Sequence, residues 1–221
     1  MALVDLIAQP RIAWKKLLPL GLSALLLLPL TGYATDELEP NDTASTAQSI
    51  SPSTAVTGSI STSDDADVFA IELSQAGQLT LSFSSVEWDG DGWIYEIFDP
   101  QGNLLAGDRC TYSTCQDGIT LSAGIAGAGT HYVRVRSGSS YYAPSGEYTL
   151  SVTFSNDTSG IELEPNDSSD TAQSISLSTA VTGSISTSDD ADVFAIELSQ
   201  AGQLTLSFSS VEWDGDGWIY E

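Results

Sequence analysis

Asp67-Val68-Phe69-Ala70-Ile71-Glu72-Leu73, a turn at Gln75-Ala76-Gly77, then Leu79-Thr80-Leu81-Ser82-Phe83 is the stretch that decides the fold. Phe69, Ile71 and Leu73 share one side of an extended chain, as do Leu79, Leu81 and Phe83. Thr80 and Ser82 face the other way, which is the period of a half-buried strand in an antiparallel sheet. The same period recurs at Trp93, Tyr95 and Ile97, at Val133 and Val135, and at Tyr148, Leu150, Val152 and Phe154. Turn residues separate the runs at Gln75-Ala76-Gly77, Asp89-Gly90-Asp91-Gly92 and Asp99-Pro100-Gln101-Gly102-Asn103. After the N-terminal segment no stretch keeps a helical period. Roughly eight short strands predict an all-β sandwich with a core large enough to fold alone.

The chain repeats itself. Glu162 to Glu221 matches Glu37 to Glu96 at a spacing of 125 residues, and only Thr43/Ser168, Ala44/Ser169, Ser45/Asp170 and Pro52/Leu177 differ. The expected organisation is a segment at 1–34, a sandwich at 36–155, a polar linker at 156–161 and a second, incomplete copy at 162–221. That copy stops inside a strand, which leaves Phe194, Ile196, Leu204, Leu206 and Phe208 without an opposing sheet.

At the N-terminus Arg11, Lys15 and Lys16 precede an apolar run from Leu17 to Leu30, followed by Gly32, Tyr33 and Ala34. This is the pattern of a secretory signal peptide cleaved after Ala34, and the run is short for a membrane span. A retained anchor is the alternative, though no stop-transfer pattern follows. The expected location is secreted, periplasmic or cell-surface, with no membrane association after cleavage. Cleavage would leave 29 acidic residues against Arg109, Arg134 and Arg136, a formal charge of −26. Such a field repels nucleic acid and favours divalent cations. Cys110 and Cys115 are the only cysteines, and in an exported chain a local disulfide is expected.

Each copy opens on an acidic hexapeptide, Glu37-Leu38-Glu39-Pro40-Asn41-Asp42 and Glu162-Leu163-Glu164-Pro165-Asn166-Asp167. A second acidic knot follows each, Asp64-Asp65-Ala66-Asp67 and Asp189-Asp190-Ala191-Asp192. Alternation lets Glu37, Glu39 and Asn41 project to one side. Two such clusters brought together repel unless a cation lies between them, and an oxygen-only donor set favours Ca²⁺ over zinc or copper. The plainer reading is a solvated acidic surface. Asp89-Gly90-Asp91-Gly92 lacks the later ligands of a calcium loop and reads as a hairpin turn.

Five separated motifs carry a resemblance: Glu37-x-Glu39-Pro40-Asn41-Asp42, Val56-Thr57-Gly58-Ser59-Ile60, Asp64-x-x-Asp67-Val68-Phe69, Asp99-Pro100-x-Gly102-Asn103 and Gly146-x-Tyr148-x-Leu150. With these, Asp36 to Phe154 resembles the bacterial pre-peptidase C-terminal domain. The resemblance implies a jelly-roll-like antiparallel β-sandwich of the type appended to secreted peptidases, related to collagen-binding domains that hold calcium between an acidic segment and an Asp-x-x-Asp loop. It implies Glu37, Glu39, Asn41, Asp42, Asp64 and Asp67 as ligands, with Glu162, Glu164, Asn166, Asp167, Asp189 and Asp192 as their counterparts. Asp65 falls between matched positions.

No catalytic constellation stands out. His131 is the only histidine and alternates with Val133 and Val135, so a structural role is expected. Tyr141-Tyr142 reads either as an exposed pair for a protein or polysaccharide ligand or as a pair packing a loop onto the sandwich. The expected function is a non-catalytic accessory or binding module stabilised by calcium. The alternatives are the N-terminal part of a secreted peptidase or other hydrolase, with its catalytic domain beyond residue 221, and a matrix-, collagen- or polysaccharide-binding protein.

Overall fold

The computed structural model describes residues 34–85, 92–144 and 146–210. The signal-peptide reading at 1–33 and most of the Asp89-to-Gly92 turn lie outside these residues. Among the described residues, β1 is Thr35–Asp36, β2 Gln48–Ser49, β3 Ala55–Gly58, β4 Ala66–Leu73, β5 Gly77–Ser85 and β6 Trp93–Phe98. β7 Leu104–Cys110, α1 Tyr112–Cys115, β8 Ile119–Ile125, β9 Gly129–Ser137 and β10 Tyr148–Ser155 complete the first copy. They form two five-stranded sheets, β1-β3-β10-β5-β8 and β2-β4-β9-β6-β7. The chain is an all-β sandwich.

Alternation builds the core. Val56, Leu79, Leu81, Phe83, Leu150 and Val152 from one sheet meet Phe69, Ile71, Tyr95, Ile97, Val133 and Val135 from the other, all buried in one cluster. The opposite face of β5 stays polar, with the Thr80 and Ser122 hydroxyls 2.9 Å apart across β5 and β8. An aromatic group of Phe83, Trp93, Tyr95 and Tyr148 fills one end, with ring centroids 5.4 to 5.6 Å apart. Such contacts add directional stabilisation to the buried area. At the turn after β6, Asp99 Oδ1 accepts from the amides of Gln101 (2.8 Å) and Asn103 (2.7 Å), while Gly102 takes φ of 88°. Only glycine adopts that backbone without strain.

Interior pairing is antiparallel, but β1 lies parallel to β3 and β2 parallel to β4. These two short edge strands belong to different sheets. The hexapeptide between them therefore crosses the end of the sandwich, where β3 ends and β4 begins.

In the second copy, β11 (Gln173–Ile175) pairs in parallel with β12 (Phe194–Ile196), repeating the relation of β2 to β4. Residues 197–210 carry no strand, and Leu204, Leu206 and Phe208 are half or more exposed. The acidic segment of this copy is nevertheless packed, for a reason that lies in the first sandwich.

Candidate metal centre

The crossing segment is tied down by its own carboxylates. The Glu37 amide donates to Thr57 O (2.9 Å), and the amide of Ser59 donates to Glu37 Oε1 (2.7 Å). Pro40 follows a cis peptide bond, and the Asn41 amide donates to Glu39 Oε2 (3.0 Å). Val68 N donates to Asn41 O (3.0 Å), which holds the segment against the start of β4. Asp67 is fully buried there.

These constraints bring carboxylate oxygens of Glu37, Glu39 and Asp67 within 4.8 Å of one another, and likewise those of Glu39, Asp42 and Asp65. Glu39 is common to both groups. The second copy repeats the arrangement with Glu162, Glu164 and Asp192, and with Glu164, Asp167 and Asp190. All ligand atoms are oxygens, the donor set that suits a hard cation such as Ca²⁺. Asp64 and Asp189 are exposed and belong to none of these groups, although Asp64 lines the surface pocket shared by Glu37, Glu39, Asp42 and Asp65. Their neighbours Asp65 and Asp190 take the inner positions. Asp65 turns inward because its Oδ2 accepts the Ser61 amide and closes the loop.

The polar atoms around these groups are incompletely satisfied. Asn41 is fully buried with neither amide atom hydrogen-bonded, and Asp67 Oδ1 is also unpartnered. In the second copy Asn166 Nδ2 donates to Glu162 Oε1 (3.0 Å), while Asn166 Oδ1, Glu164 Oε1, Asp190 Oδ1 and Asp192 Oδ1 have no partner. Buried oxygens left this way cost about 1–3 kcal/mol each.

Burial raises the proton affinity of four of these carboxyls. Burial and a hydrogen bond shared with Glu37 push Asp67 up to about 9, against a pull downward from the Tyr148 hydroxyl. Burial, with Glu162 beside it, raises Asp192 to about 8. Burial raises Glu164 to about 7, and it raises Glu39 as well. Tyr148 is a site residue that the sequence placed in a core strand and in the Gly146-x-Tyr148-x-Leu150 motif, with no role at the acidic segments. Its hydroxyl lies 2.6 Å from Asp67 Oδ2 and 3.3 Å from Glu37 Oε2, and the same ring stacks on Phe83. Its place opposite Gly58 in the β10–β3 register is the signal that would have found it.

No protein-family model matches the chain. Among solved structures the chain is similar to the pre-peptidase C-terminal domain of a collagenase from Bacillus anthracis. The identity is 20%, the match covers 53% of this chain and 100% of that one, and the TM-score is 0.39. It is also similar to a periplasmic inhibitor of g-type lysozyme from Aeromonas hydrophila, at 13% identity over 49% of this chain and 97% of that one, with a TM-score of 0.31. The first is a domain of the family that the sequence motifs resemble. The sandwich itself is read from its own two sheets.

The remaining residues singled out in the sequence lie elsewhere. Cys110 and Cys115 form a disulfide across α1, with Cα atoms 5.3 Å apart. Tyr141 and Tyr142 are 84% and 70% exposed. His131 is buried in β9 with Nδ1 3.2 Å from Gly129 O.

Proposed function

We propose that the chain is an exported, non-catalytic β-sandwich module whose repeats are stabilised by calcium. The carrying observation is the set of buried, unpartnered oxygens on Asp67 and Asn41, and on Asp192 and Asn166, beside carboxylates that lie within reach of one ion. Glu37, Glu39, Asp42, Asp65 and Asp67 would hold calcium in the first repeat, with Glu162, Glu164, Asp167, Asp190 and Asp192 in the second. The amide oxygens of Asn41 and Asn166 are within the same segments. Calcium would compensate the clustered carboxylates, and would stabilise the fold by mass action, about 2.7 kcal/mol at a hundredfold excess over the dissociation constant.

Thermal melts of the protein with calcium and with EDTA test this. A rise of several degrees with calcium, poor substitution by magnesium and loss of the difference in Asp67→Ala are the expected results. Equal melting temperatures would return the acidic knots to a solvated surface. Export rests on the basic-then-apolar pattern of residues 1–34.

The exposed Tyr141-Tyr142 pair favours a binding role for the module, toward an extracellular protein or polysaccharide or toward a catalytic domain in the same polypeptide. Retention on insoluble collagen or polysaccharide that falls in a Tyr141→Ala/Tyr142→Ala variant would support it. Retention that the variant does not change would place binding elsewhere.

A further inference from the structure

The same hexapeptide occurs in two environments. In the first copy Leu38 is 69% exposed and Glu39 lies at the surface, whereas in the second Glu162 and Glu164 are only 5% and 8% exposed. Sequence cannot cause the difference, because the six residues are identical. The cause is β8, whose outer edge in its sheet is free of any first-copy strand.

Along that edge Glu164 N donates to Gly124 O (3.0 Å) and Ala126 N donates to Glu164 O (3.0 Å), giving a parallel bridge between Ile125 and Glu164. Gly124 permits the approach. A Cβ there would stand 1.7 Å from Glu162 O and 3.4 Å from Leu163 Cα, and the three nearest atoms all belong to the docked segment. On its other side the segment is held by its own repeat, through Glu162 N to Thr182 O (3.0 Å) and Ser184 N to Glu162 Oε2 (2.8 Å). A further bond runs from Ser186 Oγ to Leu104 O (2.9 Å), between the loop that carries Asp189 and Asp190 and the start of β7. Glu164 thus pairs with β8 through its backbone while its side chain belongs to both carboxylate groups of the second repeat.

We infer that the edge of β8 is a docking surface for the opening segment Glu162–Glu164 of the following repeat, and that a cation held by Glu162, Glu164 and Asp192 latches the two repeats together. The inference rests on the calcium reading above. Docking removes two carboxylates from water, which is unfavourable while they are charged and uncompensated. A divalent cation offsets that cost, and the coupling is reciprocal, so docking on β8 must strengthen cation binding by the factor by which the cation strengthens docking. β-Strand addition at an unpaired edge is a general mode of recognition, and here it also covers an edge that would otherwise invite association with other chains.

The test is limited proteolysis of the full chain at the linker, residues 156–160, in calcium and in EDTA, on wild type, Gly124→Ala and Ala126→Pro. The three atoms nearest an alanine Cβ at 124 are backbone atoms of the docked segment, and proline at 126 removes the amide that donates to Glu164 O; neither substitution changes a carboxylate of either repeat. Calcium is expected to slow linker cleavage about tenfold in the wild type. Both variants should lose that protection while calcium still raises the melting temperature of the first sandwich. Protection that survives in Gly124→Ala overturns the latch and leaves the calcium reading standing. A wild type whose melting and cleavage both ignore calcium overturns both.

Discussion

The Tyr148 hydroxyl donates a 2.6 Å hydrogen bond to Asp67 Oδ2, and this bond joins the aromatic core to the acidic end of the sandwich. Asp67 is fully buried and its Oδ1 has no donor, so its position depends on Tyr148, on the hydrogen bond it shares with Glu37 and on whatever compensates Oδ1. Tyr148→Phe keeps the ring among Phe83 and Trp93 and deletes only the donor. The expected loss is about 1–3 kcal/mol, the cost of leaving a buried acceptor unsatisfied. Melts of wild type and variant check it. A Tyr148→Phe protein as stable as wild type, with an unchanged response to calcium, would show that the bond orients nothing.

Adjacent aspartates should behave differently. Asp65 reaches the carboxylate group of Glu39 and Asp42 and closes the Ser61 loop, while Asp64 is exposed and belongs to neither carboxylate group. Asp65→Asn keeps an acceptor for the Ser61 amide but removes a charge from the group. Calorimetric titration should show calcium affinity reduced by at least the ~10-fold that loss of an outer-sphere partner costs. Asp64→Asn should bind nearly as wild type. The reverse order would favour the Asp-x-x-Asp pairing of Asp64 with Asp67 implied by the family resemblance.

The sandwich was legible because its central strands bury one face: Phe69, Ile71 and Leu73, or Leu79, Leu81 and Phe83, announce themselves by period alone. β7 and β8 were not. Gly107, Asp108 and Arg109 interrupt the alternation in one, and the small Ala123 and Gly124 weaken it in the other. The two-residue strands β1 and β2 are fixed by register against β3 and β4, which periodicity does not encode. At the site the residue types were readable, but not which of Asp64 and Asp65 faces inward, since a single loop hydrogen bond decides it. The docking of Glu162 to Glu164 could not be read at all, because Glu37 to Glu39 has the same sequence and a different environment.

His131 gives a pH dependence of known sign. Burial lowers its proton affinity, against weaker opposing contributions from the Gly129 carbonyl and the charges of Asp99 and Glu72. Its folded-state pKa is below the unfolded value, so the unfolded chain takes up the proton first. The stability held by neutral His131 is therefore complete above about pH 6.5 and is lost as the pH falls from there toward the folded-state pKa, by up to ~1.4 kcal/mol per pH unit. His131→Gln cannot titrate. Between pH 7 and pH 5 the wild type should lose more stability than the variant, with the carboxylates contributing equally to both. Parallel pH profiles would remove His131 as the source.

Proteolysis should divide the second repeat in two. Its acidic segment is held by hydrogen bonds to Gly124, Ala126 and Thr182, and β11 pairs with β12. Beyond β12 no strand follows among the described residues, and Leu198, Leu204, Leu206 and Phe208 are all about half exposed or more. Backbone without ladder bonds opens at little free-energy cost, and exposed apolar side chains in that backbone suit chymotrypsin. The first cuts should fall between residues 198 and 208, and the sandwich from Thr35 to Ser155 should persist longest. Intact-mass measurement of the early fragments reads this directly. A resistant fragment running through residue 210 would mean that these side chains are covered, and its size in solution would then show whether a second copy of the chain covers them.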